Sequence, residues 1–302
     1  MNNFITVKKV TKSFRDYKLK DISFNVEQGC ILGIIGRNGC GKTTLLRMMM
    51  GVYRFGNGDE GDIFVDHISI KDNPVEYKQN SAFVLNETPF ELSRSSIENG
   101  LIYGKYFKTF DMKKYRKLLS EFNVPKSEPI RKISKGQQIK QQLAFALSYD
   151  AKVYFLDEPA GNLDVEFRET FYRYLRKLTE DGTKSVIYTS HLVEELEEFA
   201  DFILWIQRED NIGKVRYFGS TDDLKDRYRM VECDEEIQKL IDEKYIVGSS
   251  KSEHHSEILI RYKADKMSEE IKKYCRYAEL KEIMYYIEKN NKSSILMIFE
   301  RS

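Results

Sequence analysis

Two segments carry residue types whose spacing fits phosphate chemistry. Gly36, Arg37, Asn38, Gly39, Cys40, Gly41, Lys42 and Thr43 satisfy the pattern G-x-x-x-x-G-K-[ST]. Glycines let the backbone curl until successive N–H groups point inward at phosphate oxygens, and a helix starting at the same place adds its partial positive end. Lys42 supplies a point charge to the outer phosphates. Thr43 offers a hydroxyl that can ligand a Mg2+ bridging them, and Thr44 carries the segment into the helical run TTLLRMMM. Much later, the apolar run from Val153 to Leu156 ends in Asp157 and Glu158. A carboxylate at the carboxyl edge of a sheet can reach the metal, which is the place expected for Asp157. Glu158, one residue farther, is placed to orient and partly deprotonate a water attacking a γ-phosphate.

These groups need rigid elements to hold them. Cys30 to Ile35, CILGII, is a continuous apolar run stopped by glycine and predicts a strand covered on both faces. Ahead of it, FITVKKV and DISFNV alternate and predict half-buried antiparallel strands around a polar loop from Thr11 to Asp21. Between Asn86 and Tyr149 the three- and four-residue apolar spacing predicts a helical insertion. The apolar runs at Val153 and at Ser185 to Thr189 are each followed by a helix, around Phe167 to Leu178 and Leu192 to Phe199, which implies a parallel sheet. A boundary is expected near Ser220 to Arg227. Beyond it, ILIRY and SILMIF predict strands, and SEEIKKYCRY and LKEIMYYIEK predict helices. The expected organisation is α/β: residues 1–221 as one domain with a helical part at about 87–148, and 222–302 as a small α/β extension.

Ile133-Ser134-Lys135-Gly136-Gln137, ahead of a helix and upstream of the acidic strand, resembles the L-S-G-G-Q signature of ABC-type ATPases. Ala160-Gly161-Asn162-Leu163-Asp164 resembles that family's D-loop, and His191, after SVIYTS, its switch histidine. Order and spacing fit from Phe4 to about Gly219. The resemblance implies a phosphate-loop ABC ATPase domain with a mixed sheet core, an antiparallel β subdomain and a helical subdomain. It implies ATP and Mg2+ as ligands and a nucleotide-sandwich dimer. In that dimer the signature segment Ser134, Lys135, Gly136 and Gln137 would close over the partner's ATP, Ser134 and the Gly136 N–H contacting its γ-phosphate; Lys135, where the signature has glycine, would favour ATP by its charge or face solvent, Asp164 would stand in the D-loop, and His191 would sense the γ-phosphate. Phe14 resembles the aromatic on which adenine stacks, with Tyr17 as a competitor. The Q-loop glutamine is replaced by Asn86, one methylene shorter, so metal contact would need a shift or a bridging water.

The family commonly docks two such chains, identical or paralogous, under separate membrane permease subunits. A single ATPase unit with a small tail is similar to bacterial exporter subunits, so export is the expected direction and the helical insertion the expected docking face. A soluble ABC ATPase acting on a protein or in cofactor assembly is the alternative, and a regulator without turnover a third reading.

Composition bounds the rest. Among 302 residues, 49 Lys plus Arg balance 48 Asp plus Glu to a net +1, so no overall field favours nucleic acid and none is expected as a partner. No run approaches the roughly 20 apolar residues of a membrane span, so the chain is expected in the cytoplasm, peripheral on the inner membrane face through its permease. Cys30, Cys40, Cys233 and Cys275 lack zinc or disulfide spacing and are expected as reduced thiols. Cys40, beside the helix start and Lys42, is expected to favour a thiolate that nucleotide shields from thiol reagents. His67, His254 and His255 are assigned no chemistry.

Overall fold

A computed structural model describes residues 3–251, 256–263 and 267–299; His254 and His255 lie outside them. The chain divides into two compact units, Met1–His191 with Phe199–Phe218 and Leu192–Glu198 with Gly219–Ser302.

In the first unit, strands β1 (Asn3–Ser13) and β2 (Lys18–Glu27) form an antiparallel hairpin. The expected loop from Thr11 to Asp21 shrinks to four residues, 14–17, because the alternation persists through buried Thr11 and Leu19. Strand β3 (Ile31–Ile35) leads through the glycine-rich loop into α1 (Lys42–Met49). Then come β4 (Glu60–Val65), β5 (Ile68–Ser69), α2 (Pro74–Gln79) and β6 (Ser81–Val84). The helical insertion contains α3 (Ser96–Tyr103), α4 (Met112–Glu121) and α5 (Lys135–Ala146). It is followed by β7 (Val153–Asp157), α6 (Val165–Thr179), β8 (Ser185–Thr189), β9 (Phe202–Glu209) and β10 (Ile212–Ser220); α7 (Val193–Phe199), between β8 and β9, falls in the second unit as far as Glu198.

The ten strands form one sheet in the order β5-β4-β1-β2-β10-β9-β3-β8-β7-β6. Every residue of β3, β7 and β8 is buried, as their unbroken apolar runs require. These strands run parallel, with Ile34 paired to Thr189 and Thr189 to Asp157. The start of the glycine loop and the acidic strand end therefore emerge at one carboxyl edge, where open α/β sheets bind ligands. Leu45, Leu46 and Met49 of α1 pack with Leu32, Ile34, Phe155 and Ile187 beneath that edge, each fully buried aliphatic side chain contributing about 1.5–3 kcal/mol. This core fixes the axis of the helix that ends the loop.

Each insertion helix starts at a side-chain cap: Ser95 with Glu98 on α3, Asp111 on α4, Ser134 with Gln137 on α5. Buried Tyr115 ties them together, donating to Ser96 O at 3.1 Å and accepting from Gln141 Nε2 at 2.8 Å.

The second unit holds α8 (Thr221–Asp226), β11 (Tyr228–Cys233), α9 (Glu235–Leu240), β12 (Ile246–Lys251), β13 (Ser256–Arg261), α10 (Glu269–Lys272), β14 (Cys275–Tyr277) and α11 (Leu280–Phe299). Its sheet is antiparallel, β12-β13-β11-β14, over a core that includes Val231, Ile258, Ile260 and Ile271. Two local expectations are corrected. SILMIF continues α11 instead of forming a strand, since no glycine or proline separates it from LKEIMYYIEK. The expected helix SEEIKKYCRY stops at Lys272, and Cys275–Tyr277 pairs with β11.

Candidate functional site

The glycine loop leaves α1 without a side-chain cap and without an acid in its first turn. The N–H groups of that turn have no intrahelical partner, so the helix start is open to an anion. Gly41, the N-cap, has φ of 109°, a conformation open to glycine at little cost. Lys42 folds back across the loop, donating to Gly36 O at 2.7 Å and Arg37 O at 3.4 Å. It is 5% exposed, and no ion pair joins it to a carboxylate among the described residues. A buried ammonium satisfied only by carbonyls is poised for an incoming anion. Arg37, Asn38 and Gly39 are exposed at the tip, and Thr43 and Thr44 are half-buried in the first turn.

Across the sheet edge, the Thr43 hydroxyl lies 3.4 Å from Asp157 Oδ1, which also accepts from Thr189 Oγ1 at 2.9 Å. Asp157 is buried, and desolvation raises its pKa above the usual aspartate value. The Thr189 and Thr43 hydroxyls and the Arg47 charge oppose that rise, while the Glu158 charge adds to it. Glu158 has a left-handed backbone, φ 48°, held by N–H donation to Thr189 O at 3.1 Å and Thr189 Oγ1 at 3.2 Å. Non-glycine strain of this kind concentrates at functional sites. The Glu158 carboxylate meets His191 Nδ1 at 3.3 Å, and His191 itself is half exposed.

Ser134 caps α5 through Gln137 N–H at 3.2 Å, and Gln137 Oε1 accepts from Ser134 N–H at 3.1 Å. Ser134 and Lys135 are exposed. A Cβ on Gly136 would stand 2.7 Å from Asn162 O, so this glycine permits close approach of the 160–164 segment. Asp164 caps α6 and pairs with Lys140 of α5 at 2.8 Å, and that ammonium holds its carboxyl below the usual range. Asn162 Nδ2 donates to Asn86 Oδ1 at 3.0 Å. The amide oxygen expected on the metal therefore already has a partner on the 160–164 segment.

Phe14 is 43% exposed, stacked on Tyr17 with centroids 6.4 Å apart and edge-on to Tyr53 at 5.9 Å. Tyr17 is turned the other way, its hydroxyl donating to Cys40 O at 2.6 Å. Cys40 overturns its expectation. It is 1% exposed and packs in the core cluster of the unit, so nucleotide has no exposed thiol to shield. The sequence assigns no role to Thr189 or to Arg208, whose Nη1 donates to Gly39 O at 3.3 Å. Thr189 lay in a visible apolar run; Arg208 is 169 positions from its partner and carried no local signal.

Among the described residues no group of three or more His, Cys, Asp and Glu could hold a metal. A hydroxyl and a carboxylate, Thr43 and Asp157, suit Mg2+, which usually takes one or two protein oxygens and completes its shell with phosphates and water. The open helix start and the unpaired Lys42 likewise suit a triphosphate.

A protein-family model described as ABC transporter matches residues 19–161. The ABC transporter ATP-binding protein YtrB of Bacillus subtilis is 30% identical over 71% of this chain and 70% of its own. The ribose import ATP-binding protein RbsA of Lacticaseibacillus paracasei is 29% identical over 65% of this chain and 41% of its own, so the similarity does not single out export. A dimeric ATP-binding cassette in a post-hydrolysis state bound to ADP and Pi has a TM-score of 0.62 at 21% identity, covering 72% of this chain and 98% of that one. The chain belongs to the ATP-binding subunits of ABC transporters and is an ATPase of that family.

Proposed function

We propose that two copies of the chain, or one copy and a paralogue, close around two Mg-ATP molecules and drive separate permease subunits. The carrying observation is the gathering of Lys42, Thr43, Asp157, Glu158 and His191 at one sheet edge by β3, β7 and β8, with Thr43 and Asp157 brought together across 114 positions of sequence. Lys42 and the first N–H groups of α1 bind and neutralise the phosphates, with Arg37, Asn38, Gly39 and Thr44 bordering them. Thr43 and Asp157 would hold Mg2+, which would supply charge neutralisation to the phosphates. Glu158 accepts a proton from the attacking water, and His191, whose Nδ1 lies 3.3 Å from that carboxylate, orients it and contacts the γ-phosphate.

Ser134 and Gly136 open α5 toward solvent, where a partner's γ-phosphate completes the site, with Lys135 adding positive charge. Phe14 offers a π face to adenine. Asn86, bound to Asn162, acts on the metal through its link to the 160–164 segment. Phosphate release by the purified chain tests the assignment: Glu158→Gln should lower turnover at least about 100-fold, and a variant with wild-type turnover contradicts it.

The finer reading is a peripheral subunit on the inner membrane face that powers export. No helix among the described residues is long and apolar enough to cross a membrane, and the proposal gives the pathway to another chain. Co-purification with a membrane subunit, and ATP-driven cargo uptake into inverted vesicles carrying the pair, support this reading. Recovery with soluble proteins alone overturns it.

A further inference from the structure

We propose that Tyr17 is a positioning residue of the phosphate loop, its hydroxyl fixing the Cys40–Gly41 peptide so that the Gly41 N–H faces the phosphates. The inference rests on residues 36–43 being the phosphate-binding loop. Tyr17 Oη donates to Cys40 O at 2.6 Å. In a trans peptide the C=O and the following N–H point in opposite directions, so pinning this carbonyl toward Tyr17 turns the Gly41 N–H away from it. Among the described residues no protein group accepts from that N–H, which leaves it for a ligand.

The hydroxyl sits in a slot that two glycines keep open. A Cβ on Gly41 would stand 2.0 Å from it and a Cβ on Gly213 2.1 Å, so both positions exclude any side chain while Tyr17 stays in place. Arg208 locks the ring from β9, its guanidinium 5.4 Å from the ring centroid and its Nη1 on Gly39 O, the preceding carbonyl of the same loop. Burial raises the phenol pKa, so the hydroxyl remains a donor at any working pH. Tyr17 also accepts the Phe14 N–H on its own carbonyl at 2.7 Å, which separates two tasks within one turn: Phe14 presents a ring outward while Tyr17 anchors the loop beneath.

The test titrates the full chain with Mg-ATP and with Mg-tripolyphosphate, which has no base to stack. Tyr17→Phe keeps the ring and removes only the donor. Both affinities should fall together, by about 5-fold for the loss of one neutral hydrogen bond, with the melting temperature of the nucleotide-free protein lowered by no more than a few degrees. Phe14→Ala should weaken ATP alone. Wild-type tripolyphosphate affinity in Tyr17→Phe overturns the proposal, and so does a loss confined to ATP, which would make Tyr17 part of the base platform. Wild-type binding of both ligands by Lys42→Ala removes the phosphate-loop reading, and the role of Tyr17 with it.

Discussion

Asp157 shows what the site costs the fold. Its pKa is raised above 3.8, chiefly by burial, so the folded state holds its proton more tightly than the unfolded chain does. The contribution of this group to stability is therefore fully present below the unfolded pKa and lost as pH rises through the folded one. At neutral pH the ionised carboxylate is buried beside Glu158 and held only by two hydroxyls and the Arg47 charge. Asp157→Asn should raise the melting temperature of the nucleotide-free protein at pH 7 and abolish Mg-dependent turnover. An unchanged or lower melting temperature at pH 7 contradicts the desolvation argument, and scanning calorimetry with a phosphate assay reads both. The site was legible where chemistry is local: Gly36 to Thr43 and Asp157-Glu158 are contiguous in sequence. Tyr17 and Arg208 were not, because an aromatic in a turn and an arginine on a strand acquire meaning only from the loop they touch, and the burial of Cys40 depended on packing that no neighbour in sequence encodes.

At the scale of elements, helix starts carry much of the organisation. Asp164 both caps α6, accepting from Phe167 N–H at 2.8 Å, and reaches Lys140 of α5 at 2.8 Å. Asp164→Ala should destabilise by about 1 kcal/mol through the lost cap. Asp164→Asn, which keeps a capping oxygen and loses the charge, should cost only about 0–1 kcal/mol, since its carboxylate is 60% exposed and screened. Denaturant titration of both variants separates cap from pair; equal losses contradict the division. Strands β3, β7 and β8 were legible because burial on both faces leaves an unbroken apolar run. The β9–β10 hairpin was passed over although Asp210 and Asn211, with φ of 44° and 63°, form its two-residue turn and gave a usable signal. The end of α11 was misread because a short apolar run has no intrinsic period to tell strand from helix.

At the scale of the molecule, one chain supplies a phosphate loop with its carboxylates and, on a different helix, an exposed Ser134 whose hydroxyl caps the Gln137 N–H of its own helix. The similar cassette structure bound to ADP and Pi is itself dimeric. The overall two-unit plan was legible from the change in composition past Gly219, whereas the assignment of Leu192–Glu198 to the second unit was not, since an acidic amphipathic stretch does not state which core it covers. The most direct measurement is sedimentation velocity of the full-length Glu158→Gln chain with and without saturating Mg-ATP. A shift from monomer to dimer on adding nucleotide, abolished by Ser134→Arg on the same background, is the expected result. A chain that remains monomeric at saturation, or a dimer that persists when the Ser134→Arg substitution crowds the γ-phosphate, contradicts the shared site.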